Sequence, residues 1–513
     1  MKTKNRIQKI ILFSLSTFMT AQSFASSSMD IKTPRGESTV QHKSPSSGLI
    51  ELCTVPQRLS EEAFSEKDRK QEAEVCALSF YGENAICPKQ NSTNPGLLVG
   101  EAVEGMTGRQ IEERYCAGPA KLFKTDYKYK QGISCSYTPS ILAYYQIGRI
   151  LDVGRIPVAM LRTMDRKEHL RQVQMANTEP FTSKMSDQMK WQWDNYLKTH
   201  KNGTDTNVFD NSRKFVYGSI VKNVKKEGRY LEVSGRGAYD PRYQRFITQP
   251  PFLRVASQST LPELALNYNE TATTTPSIEK ELAIELTMEL AELNKISAAY
   301  SGPKEFAQVA QTVVQAKDVS DMILIDTLFS QADRIGNIHF HYYWYWIDAD
   351  GKVQKKKSDT EIEFKGKGNS KKMVFDIPKK EQAEFVGKAF LLKEMILKDN
   401  DCGVEVGRRA NMMRQVSAIE QVRHMSAKTY ARFMKLAKIA KTSAFEAWLQ
   451  REMLFSAADV KGSGSSFQSN FDRAYKVLTE NCKNGSLKLD ANIEDFAPGA
   501  PITKMGCDGN EIP

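Results

Sequence analysis

The sequence lacks the short motifs of several large enzyme classes. It contains no GxSxG, HExxH or GxxxxGKS/T segment, so the common hydrolase and P-loop classes have no motif support. It has no CxxC pair and only six histidines, which argues against a zinc site. It also lacks the interleaved aromatic and basic residues of a nucleic-acid-binding protein. The function must therefore rest on a less common arrangement of residues.

Two of the histidines are close together in the sequence. His339 and His341 lie two residues apart in a run rich in Tyr and Trp. In a strand they would point to the same face. A metal site would need at least one further ligand near them, so packing among the aromatic side chains is the preferred interpretation.

Long apolar runs are also scarce. Ile10–Thr20 has the length of a secretory-signal core and is too short to cross ~30 Å of hydrocarbon. Four basic residues and no acid precede it, and Ser23-Phe24-Ala25 offers small residues where a signal peptidase cuts. This pattern predicts a signal peptide at residues 1–25. We therefore expect an exported protein, periplasmic or secreted, without a membrane span.

The net charge is mildly positive. It is +11 for the whole chain, and removing the four basic residues of the predicted leader lowers it to +7. An excess of this size mainly favours solubility and assists the approach of an anionic partner such as a nucleotide.

The eight cysteines are unevenly placed. Five occur early and three late, and none lies between Cys135 and Cys402. In an exported protein we expect them to form disulfides. If all eight pair, an odd number of bonds must join the early group to the late group, because each group has an odd number of members. The spacing does not fix which cysteines pair.

Composition divides the rest of the chain into successive segments. Residues 26–48 are rich in Ser, Thr and Lys and poor in large apolar residues, which predicts a disordered tether. We expect an N-terminal extension at 49–116 and a strand-and-helix region at 117–222. A longer, mostly helical region at 223–482 and an irregular tail at 483–513 complete the chain.

Strand-like and helix-like runs alternate in the region 117–222. Ala120–Lys124, Arg155–Arg162 and Phe215–Val221 have the composition of strands. Ser140–Leu151 places its apolar residues on one helical face. The predicted order is strand, helix, strand, strand.

The first polar cluster lies at Asp326–His339, DTLFSQADRIGNIH. An apolar run ends there in a loop with Asp333 and Asn337, and a β-prone run follows at Ile338–Ile347. Phosphoryl transfer needs a carboxylate near the attacking hydroxyl and an amide oxygen that helps to hold magnesium. Asp333 is thus a candidate base and Asn337 a candidate metal ligand. The alternatives are an ion pair of Asp333 with Arg334 and an ordinary turn at Asn337.

The second polar cluster is KDNDCG at Lys398–Gly403, directly after the strand-like run Phe390–Leu397. Its two acids offer carboxylates, of which Mg²⁺ takes one or two. Asp399 continues the strand, whereas Asp401 begins an Asp-x-Gly triplet, and both stay candidates beside an ordinary acidic turn. A long Lys/Glu-rich insertion separates this strand-like run from the one that follows Asn337.

A lysine that contacts phosphate would complete such a site. Lys124 is the candidate, because it ends a strand-like run and precedes the predicted helix. Lys121 is the alternative, and a solvent-facing strand lysine is the simpler interpretation for either.

Together these segments resemble the atypical kinase group that includes the Golgi casein kinase family, HipA-type kinases and phosphatidylinositol kinases. The loop at Asp326–His339 is similar to that group's Asp-Arg…Asn loop, and LKDNDCG at 397–403 to its metal loop. AYYQIGRILDVGRIPVAMLR at 143–162 is similar to a helix and strand of the secretory kinases, and FVYGS at 215–219 to their hinge approach. The resemblance implies an α+β, two-lobed protein-kinase-like fold with insertions and disulfides, a β-rich N-lobe and a mostly helical C-lobe.

The resemblance also implies roles for individual residues. Asp333 would be the base, Asn337 with Asp399 or Asp401 would bind Mg²⁺ or Mn²⁺, and Lys124 would clamp the phosphates of ATP. The implied nucleotide contacts are Lys124, Lys121 and Tyr217.

The chain departs from the group's pattern at three places. The predicted helix at Ser140–Leu151 lacks the glutamate that would pair with the lysine. The amide follows the candidate base by four residues, where kinases commonly have five. No GxGxxG covers the nucleotide, and Gly100, Gly105 and Gly108 are a loose substitute.

Three functional hypotheses follow. The preferred one is an exported Mg²⁺/ATP-dependent kinase that acts on a hydroxyl of an unidentified protein or small molecule. The second is a catalytically inactive, kinase-shaped binding protein. The third is a secreted interaction scaffold of unrelated fold, in which the motifs are coincidental turns.

Overall fold

The structure is a computed structural model. It describes residues 38–92, 94–103, 105–116, 124–234, 242–266, 280–365, 372–404, 412–462, 465–502 and 504–512. The predicted signal peptide 1–25 and Lys121 lie outside these ranges.

The first part of the chain forms a curled antiparallel sheet of seven strands. Its order is β1-β2-β6-β7-β5-β4-β3. The strands are β1 (Ser38–Lys43), β2 (Ile50–Val55), β3 (Asn84–Pro88), β4 (Leu97–Glu101), β5 (Lys124–Gln131), β6 (Ala159–Asp165) and β7 (Phe215–Lys222).

This sheet crosses two of the predicted segment boundaries. β1 lies inside the predicted disordered tether, residues 26–48, and pairs along its whole length with β2. The predicted extension, residues 49–116, contributes β2, β3 and β4 to the sheet. The described end of the tether, through β1, and the extension therefore share one sheet with strands of the region 117–222.

Five α-helices in the described residues of this part accompany the sheet. Ser65 and Thr107 begin the first two with reciprocal capping hydrogen bonds, which satisfy backbone N–H groups at helix starts. The third starts at Thr138-Pro139 and is buried on nearly every side. The helices are α1 (Glu66–Ala77), α2 (Gly108–Tyr115), α3 (Thr138–Leu151), α4 (Arg166–Ala176) and α5 (Asp187–Asn202).

The second part begins with helices and then forms a smaller sheet. The helices are α6 (Leu231–Ser234), α7 (Arg242–Phe246), α8 (Pro250–Val255), α9 (Leu261–Leu266), α10 (Lys280–Ala299) and α11 (Lys304–Leu328). The strands are β8 (Gly228–Arg229), β9 (Ile338–Ile347), β10 (Val353–Lys357) and β13 (Phe390–Leu397), in the order β10-β9-β13 with β8 also paired to β9. Buried α11 packs against β13.

An insertion separates the two long strands of this sheet, as the sequence led us to expect. It contains β10, the separate hairpin β11 (Glu361–Lys365) and β12 (Lys372–Asp376), and helix α12 (Lys379–Phe385). The described C-terminal region is helical up to a tail with little regular structure. Its helices are α13 (Met412–Gln415), α14 (Ala427–Ile439), α15 (Ser443–Arg451), α16 (Ala457–Lys461) and α17 (Phe467–Lys483).

The protein is thus of the α+β class, and one apolar cluster continues through both parts. It contains Tyr129 of β5, Tyr144 of α3, Leu324 of α11 and Phe471 of α17. No helix in the described ranges combines the length and apolarity needed to cross a bilayer.

The eight cysteines stand in four pairs at disulfide distance. Three pairs are local, with sequence separations of 23 to 29 residues. Cys135 and Cys402 are 267 residues apart in sequence, and their Cα atoms lie 5.1 Å apart. One pair, an odd number, therefore joins the early cysteines to the late ones. The local pairs are Cys53–Cys76, Cys87–Cys116 and Cys482–Cys507.

Candidate active site

Strand register brings the two predicted polar clusters side by side. β9 and β13 run antiparallel, with Ile338 opposite Leu397. The loop that enters β9 carries Asp333 and Asn337, and the loop that leaves β13 carries Asp399. Because the start of one strand faces the end of the other, both loops lie at the same edge of the small sheet.

A lysine of the large sheet meets the acids of the second loop. Lys130 Nζ lies 3.0 Å from Asp399 Oδ1 and 3.0 Å from Asp401 Oδ2. Lys130 belongs to β5, and Lys128 points to the same face because side chains two apart in a strand share a face. The cleft thus lies between the large sheet and the loops of the small one.

The cleft has a polar part and a more apolar part. The polar part has a cavity volume of about 90 Å³. The apolar part, about 30 Å³, shares Lys128, Lys130 and Asp399 with it. The functional side chains of the polar part are Lys89, Ser92, Lys128, Lys130, Asp333, Asn337, Asp399 and Asp401. The apolar residues of the second part are Ile141, Ile156, Pro157, Val221 and Val224.

Asp333 and Asn337 form one hydrogen-bonded turn. Asn337 Nδ2 donates to the backbone oxygen of Asp333 at 2.8 Å and to its Oδ2 at 3.3 Å. Gly336 between them has φ +97°, a conformation that favours glycine. Because the amide nitrogen donates inside the turn, the amide oxygen of Asn337 is the atom left to meet a cation.

Asp399 occupies an unusual backbone conformation. Its φ is 52°, in the left-handed region that non-glycine residues rarely adopt. Such residues persist where the surrounding structure holds them, often at functional sites. The conformation turns the chain directly after β13, so that Asp399 and Asp401 both reach Lys130.

Arg334 connects the two loops beneath the cleft. Its side chain is fully buried, and it binds Asp326 of α11 through Nε at 2.8 Å and Nη2 at 2.9 Å. Its Nη1 donates to Lys398 O at 2.7 Å, and its Nη2 to Asn400 Oδ1 at 2.6 Å. Arg334 thus forms its ion pair with Asp326 and not with Asp333, the alternative that the sequence had left open. The Asp333 carboxylate belongs to the cleft wall instead.

A second basic group comes from the loop between β3 and β4. Lys89 Nζ donates to Ser92 Oγ at 2.8 Å. Burial and the neighbouring Lys130 lower the pKa of Lys89 to about 8. The described residues of this loop, 89–92 and 94–96, line the cleft through Lys89, Ser92, Asn94, Pro95 and Gly96, whereas the sequence offered only the glycines at 100, 105 and 108 as a cover. Gly100 lies in β4 and Gly108 begins α2.

The charges in the cleft stabilise one another. Lys130 is the main cause that holds the pKa of Asp399 far below its usual value. Burial opposes the charge of Lys130, but Asp401 and Asp399 outweigh it and raise the pKa of that ammonium group. Burial lowers the pKa of Lys128, and Asp399 partly opposes this. Asp399 and Lys130 are therefore both ionised near neutral pH.

The predicted lysine lies far from this cluster. Lys124 is the first residue of β5 and pairs with Glu101. Six residues of extended strand separate it from Lys130, a distance of about 20 Å. The structure brings together Asp333, Asn337, Asp399 and Asp401, but the lysine beside them is Lys130.

Tyr217 is also outside the cleft lining. It is buried in β7, and its hydroxyl donates to Thr206 O at 2.6 Å. The end of β7 reaches the cleft through Val221 and the residues that follow it.

The sequence interpretation overlooked three lysines of the cleft. Lys130 and Lys128 stand in KTDYKYKQ, whose alternation signals a strand with two lysines on one face. That signal was available, but the strand was predicted to end at Lys124. Lys89 has no comparable local signal, because its role depends on where the β3–β4 loop folds.

The three-member group formed by Cys135, Asp333 and Cys402 lies near the base of the cleft. One ligand atom of each lies within 4.8 Å of the others. The two sulfur atoms are at disulfide distance from each other, and a disulfide offers no thiolate to a metal. The Asp333 carboxylate therefore lies beside the cysteine pair, and these three residues do not form a metal centre.

No protein-family model matches the chain, and no curated protein sequence shows significant similarity to it.

Proposed function

We propose that the protein is an exported, kinase-like phosphotransferase that moves a phosphoryl group from Mg²⁺-bound ATP to a hydroxyl of a protein or small molecule. The observation that carries this proposal is the convergence of three distant segments on one cleft. Lys130, the Asp333–Asn337 turn and the pair Asp399 and Asp401 meet there, although up to 271 residues separate them. Phosphoryl transfer uses this combination of a base, a set of oxygen ligands and a phosphate-binding cation.

The donor set fits a magnesium ion. Asn337 supplies an amide oxygen, and Asp399 and Asp401 supply carboxylates. Hard oxygen donors of these types suit Mg²⁺ or Mn²⁺. When bound, the ion would neutralise charge on the phosphates and orient them.

The remaining side chains would bind and orient the reactants. Lys130, Lys128 and Lys89 converge on the polar part of the cleft, where they would contact the phosphates as charged donors. Asp333 would accept the proton of the attacking hydroxyl. A base of this kind typically contributes about 10²- to 10⁴-fold to the rate.

The fold is compatible with the two-lobed arrangement of the proposal. In it, the seven-stranded sheet with α3 is the N-lobe, and the mostly helical second part is the C-lobe. The paired cysteines are compatible with the oxidising environment of an exported protein.

A second candidate function is nucleotide binding without catalysis. α3 contains no Asp or Glu, so no carboxylate of that helix can pair with Lys130. Lys130 instead contacts both acids that the proposal assigns to the metal. A site of this kind can hold a nucleotide even if the reaction does not proceed.

Label transfer from ATP separates the two functions. Purified, oxidised protein is incubated with labelled ATP and Mg²⁺ or Mn²⁺, beside Asp333→Asn and the control Asp350→Asn, which changes an exposed turn. Transfer by wild type and control with a loss of about 10²-fold or more in Asp333→Asn supports catalysis. Equal transfer by all three proteins contradicts the role of Asp333.

Thermal unfolding with ATP tests binding separately. A ligand at a hundredfold excess over Kd adds about 2.7 kcal/mol to the stability of the folded state. Stabilisation without label transfer supports the second function. Absence of both contradicts the two functions together.

A further inference from the structure

The loop that carries Asp399 and Asp401 is fastened to the large-sheet part of the molecule by a cysteine pair. Cys402 directly follows Asp401, and its partner Cys135 lies in the segment between β5 and α3. Both are buried. The other three pairs join residues no more than 29 positions apart in sequence. This pair alone among the four ties the candidate metal loop to the segment that follows Lys130.

Hydrogen bonds reinforce the same attachment. Tyr137 N donates to Asp401 O at 2.8 Å, and Ser140 Oγ donates to Asn400 O at 2.7 Å. A Cβ atom at Gly403 would come within 2.8 Å of Ser140 Oγ, so the loop lies in close contact with the start of α3. The backbone between the two acids, at Asn400, and at Asp401 itself is therefore held from one direction.

The opposite side of the loop is held by the segment that carries the candidate base. Ala332 N donates to Cys402 O at 2.9 Å, and Val404 N donates to Phe329 O. The Asp333 carboxylate lies within 4.8 Å of both sulfur atoms of the pair. Cys402 is thus the point at which the acid-bearing loop, the base-bearing loop and the segment before α3 meet.

We propose that Cys135 and Cys402 are positioning residues whose disulfide fixes the carboxylates of Asp399 and Asp401 for divalent-cation binding. This inference rests on the proposed function, because it concerns the same metal site. A loop with Asp399 in a left-handed conformation needs external restraint, and the disulfide supplies it from a different part of the chain. The cation site is then complete only in the oxidised protein.

The redox step is a thiol–disulfide exchange. The two thiols reduce one molecule of glutathione disulfide to two molecules of glutathione, and the sulfur–sulfur bond between Cys135 and Cys402 forms. Each protein thiol gives up its proton, and the two released glutathione thiolates take up two protons.

Mn²⁺ binding, measured by electron paramagnetic resonance without nucleotide, tests the inference apart from activity. The proteins are wild type, Asp399→Asn, the double variant Cys135→Ser/Cys402→Ser and the control Cys482→Ser/Cys507→Ser. Removing groups that orient metal ligands weakens binding by about 10- to 100-fold. We expect a loss of this size in the Cys135/Cys402 variant and wild-type affinity in the control.

A milder variant keeps the test decisive if the Cys135/Cys402 protein does not fold. Ser140→Ala removes one hydrogen bond to the same loop, whereas Ser183→Ala removes an exposed hydroxyl that donates to Pro180 O. We expect weaker Mn²⁺ binding in the first and no change in the second. Melting temperatures and near-ultraviolet circular dichroism establish which variants are folded.

The outcomes separate this inference from the proposed function. Wild-type Mn²⁺ affinity in a folded Cys135/Cys402 variant overturns the inference, while weaker binding by Asp399→Asn still supports the metal site. If the cysteine variant is unfolded, Mn²⁺ binding to wild type is compared before and after treatment with a thiol reductant, and unchanged affinity of folded protein in which Cys135 and Cys402 are reduced overturns it. Failure of wild type to bind Mn²⁺ more tightly than Asp399→Asn overturns the metal site and the inference together.

Discussion

Replacing Arg334 with methionine should destabilise the protein by several kcal/mol. The guanidinium group is fully buried and binds both carboxylate oxygens of Asp326. It also donates to Lys398 O and Asn400 Oδ1. Methionine can fill much of the same space, but it leaves the carboxylate and two acceptors without their charged donor.

The magnitude follows from the carboxylate left behind. Removing one partner of a buried ion pair costs about 3–5 kcal/mol, because the other charge stays buried without compensation. Tyr144, whose hydroxyl donates to Asp326 Oδ1 at 2.8 Å, retains part of the solvation of that carboxylate. We therefore expect about 3 kcal/mol for Arg334→Met. The double variant Asp326→Asn/Arg334→Met should lose about 0.5–3 kcal/mol less than the sum of the single losses.

Urea unfolding of the oxidised proteins, followed by tryptophan fluorescence, measures these free energies. Lys356→Met is the matched control, because Lys356 Nζ lies 2.9 Å from Glu384 Oε1 and both side chains are more than 40% exposed. Such surface pairs contribute about 0–1 kcal/mol. A loss in Arg334→Met no larger than in Lys356→Met would refute the view that Arg334 holds the two loops together.

Two further predictions concern pH. Lys89, with a pKa of about 8, should lose its charge between pH 7 and pH 9.5. The affinity for ATP, measured by titration calorimetry, should then fall by about tenfold, because one charge-assisted hydrogen bond is lost. Burial raises the pKa of Asp318 to about 7, so the folded state binds a proton more tightly than the unfolded chain. Stability should fall as pH rises from about 4 to 7, and Asp318→Asn should relieve about 2–4 kcal/mol of this loss at pH 8.

Each pH prediction has an internal control. In Lys89→Arg the side chain stays charged from pH 7 to pH 9.5, so most of the fall in ATP affinity should disappear. If the variant shows the same fall as wild type, Lys89 is not the group that causes it. For Asp318, urea midpoints of wild type and Asp318→Asn are compared at pH 4.5 and pH 8. Equal stability differences at the two values would contradict the raised pKa.

Local sequence determined several elements of the site. The predicted strands Ile338–Ile347 and Phe390–Leu397 have the same bounds as β9 and β13. The first is rich in aromatic residues and the second in leucine and isoleucine, and a polar turn follows each of them, so composition marks both. α3, at Thr138–Leu151, begins two residues before the predicted helix and ends with it. The acids and the amide that flank the strands were found for the same reason.

Pairing between distant segments was decided by the tertiary structure. Composition marked residues 26–48 as disordered, yet β1 forms there because β2 offers it a partner strand. The odd number of cysteines in each group required at least one bond between the groups if all pair. The number of cysteines in each group could not show that Cys135 pairs with Cys402. This pairing depends on where the loop after β13 meets the segment before α3.

The lysine of the site was likewise decided by the tertiary structure and not by the local sequence. Lys124, Lys128 and Lys130 stand in one strand, and the alternation around Lys128 and Lys130 marks the strand without showing which lysine meets the acids. Which of them meets the acids depends on how far β5 extends past its neighbours before the chain turns into α3. Strand composition gives no measure of that distance. The distance is set by the pairing of β5 with β4 and β7 and by the position of the Asp399 loop next to these strands. The sequence by itself determined the strands and their polar ends, and only the packing of the two sheets placed Lys130 between Asp399 and Asp401.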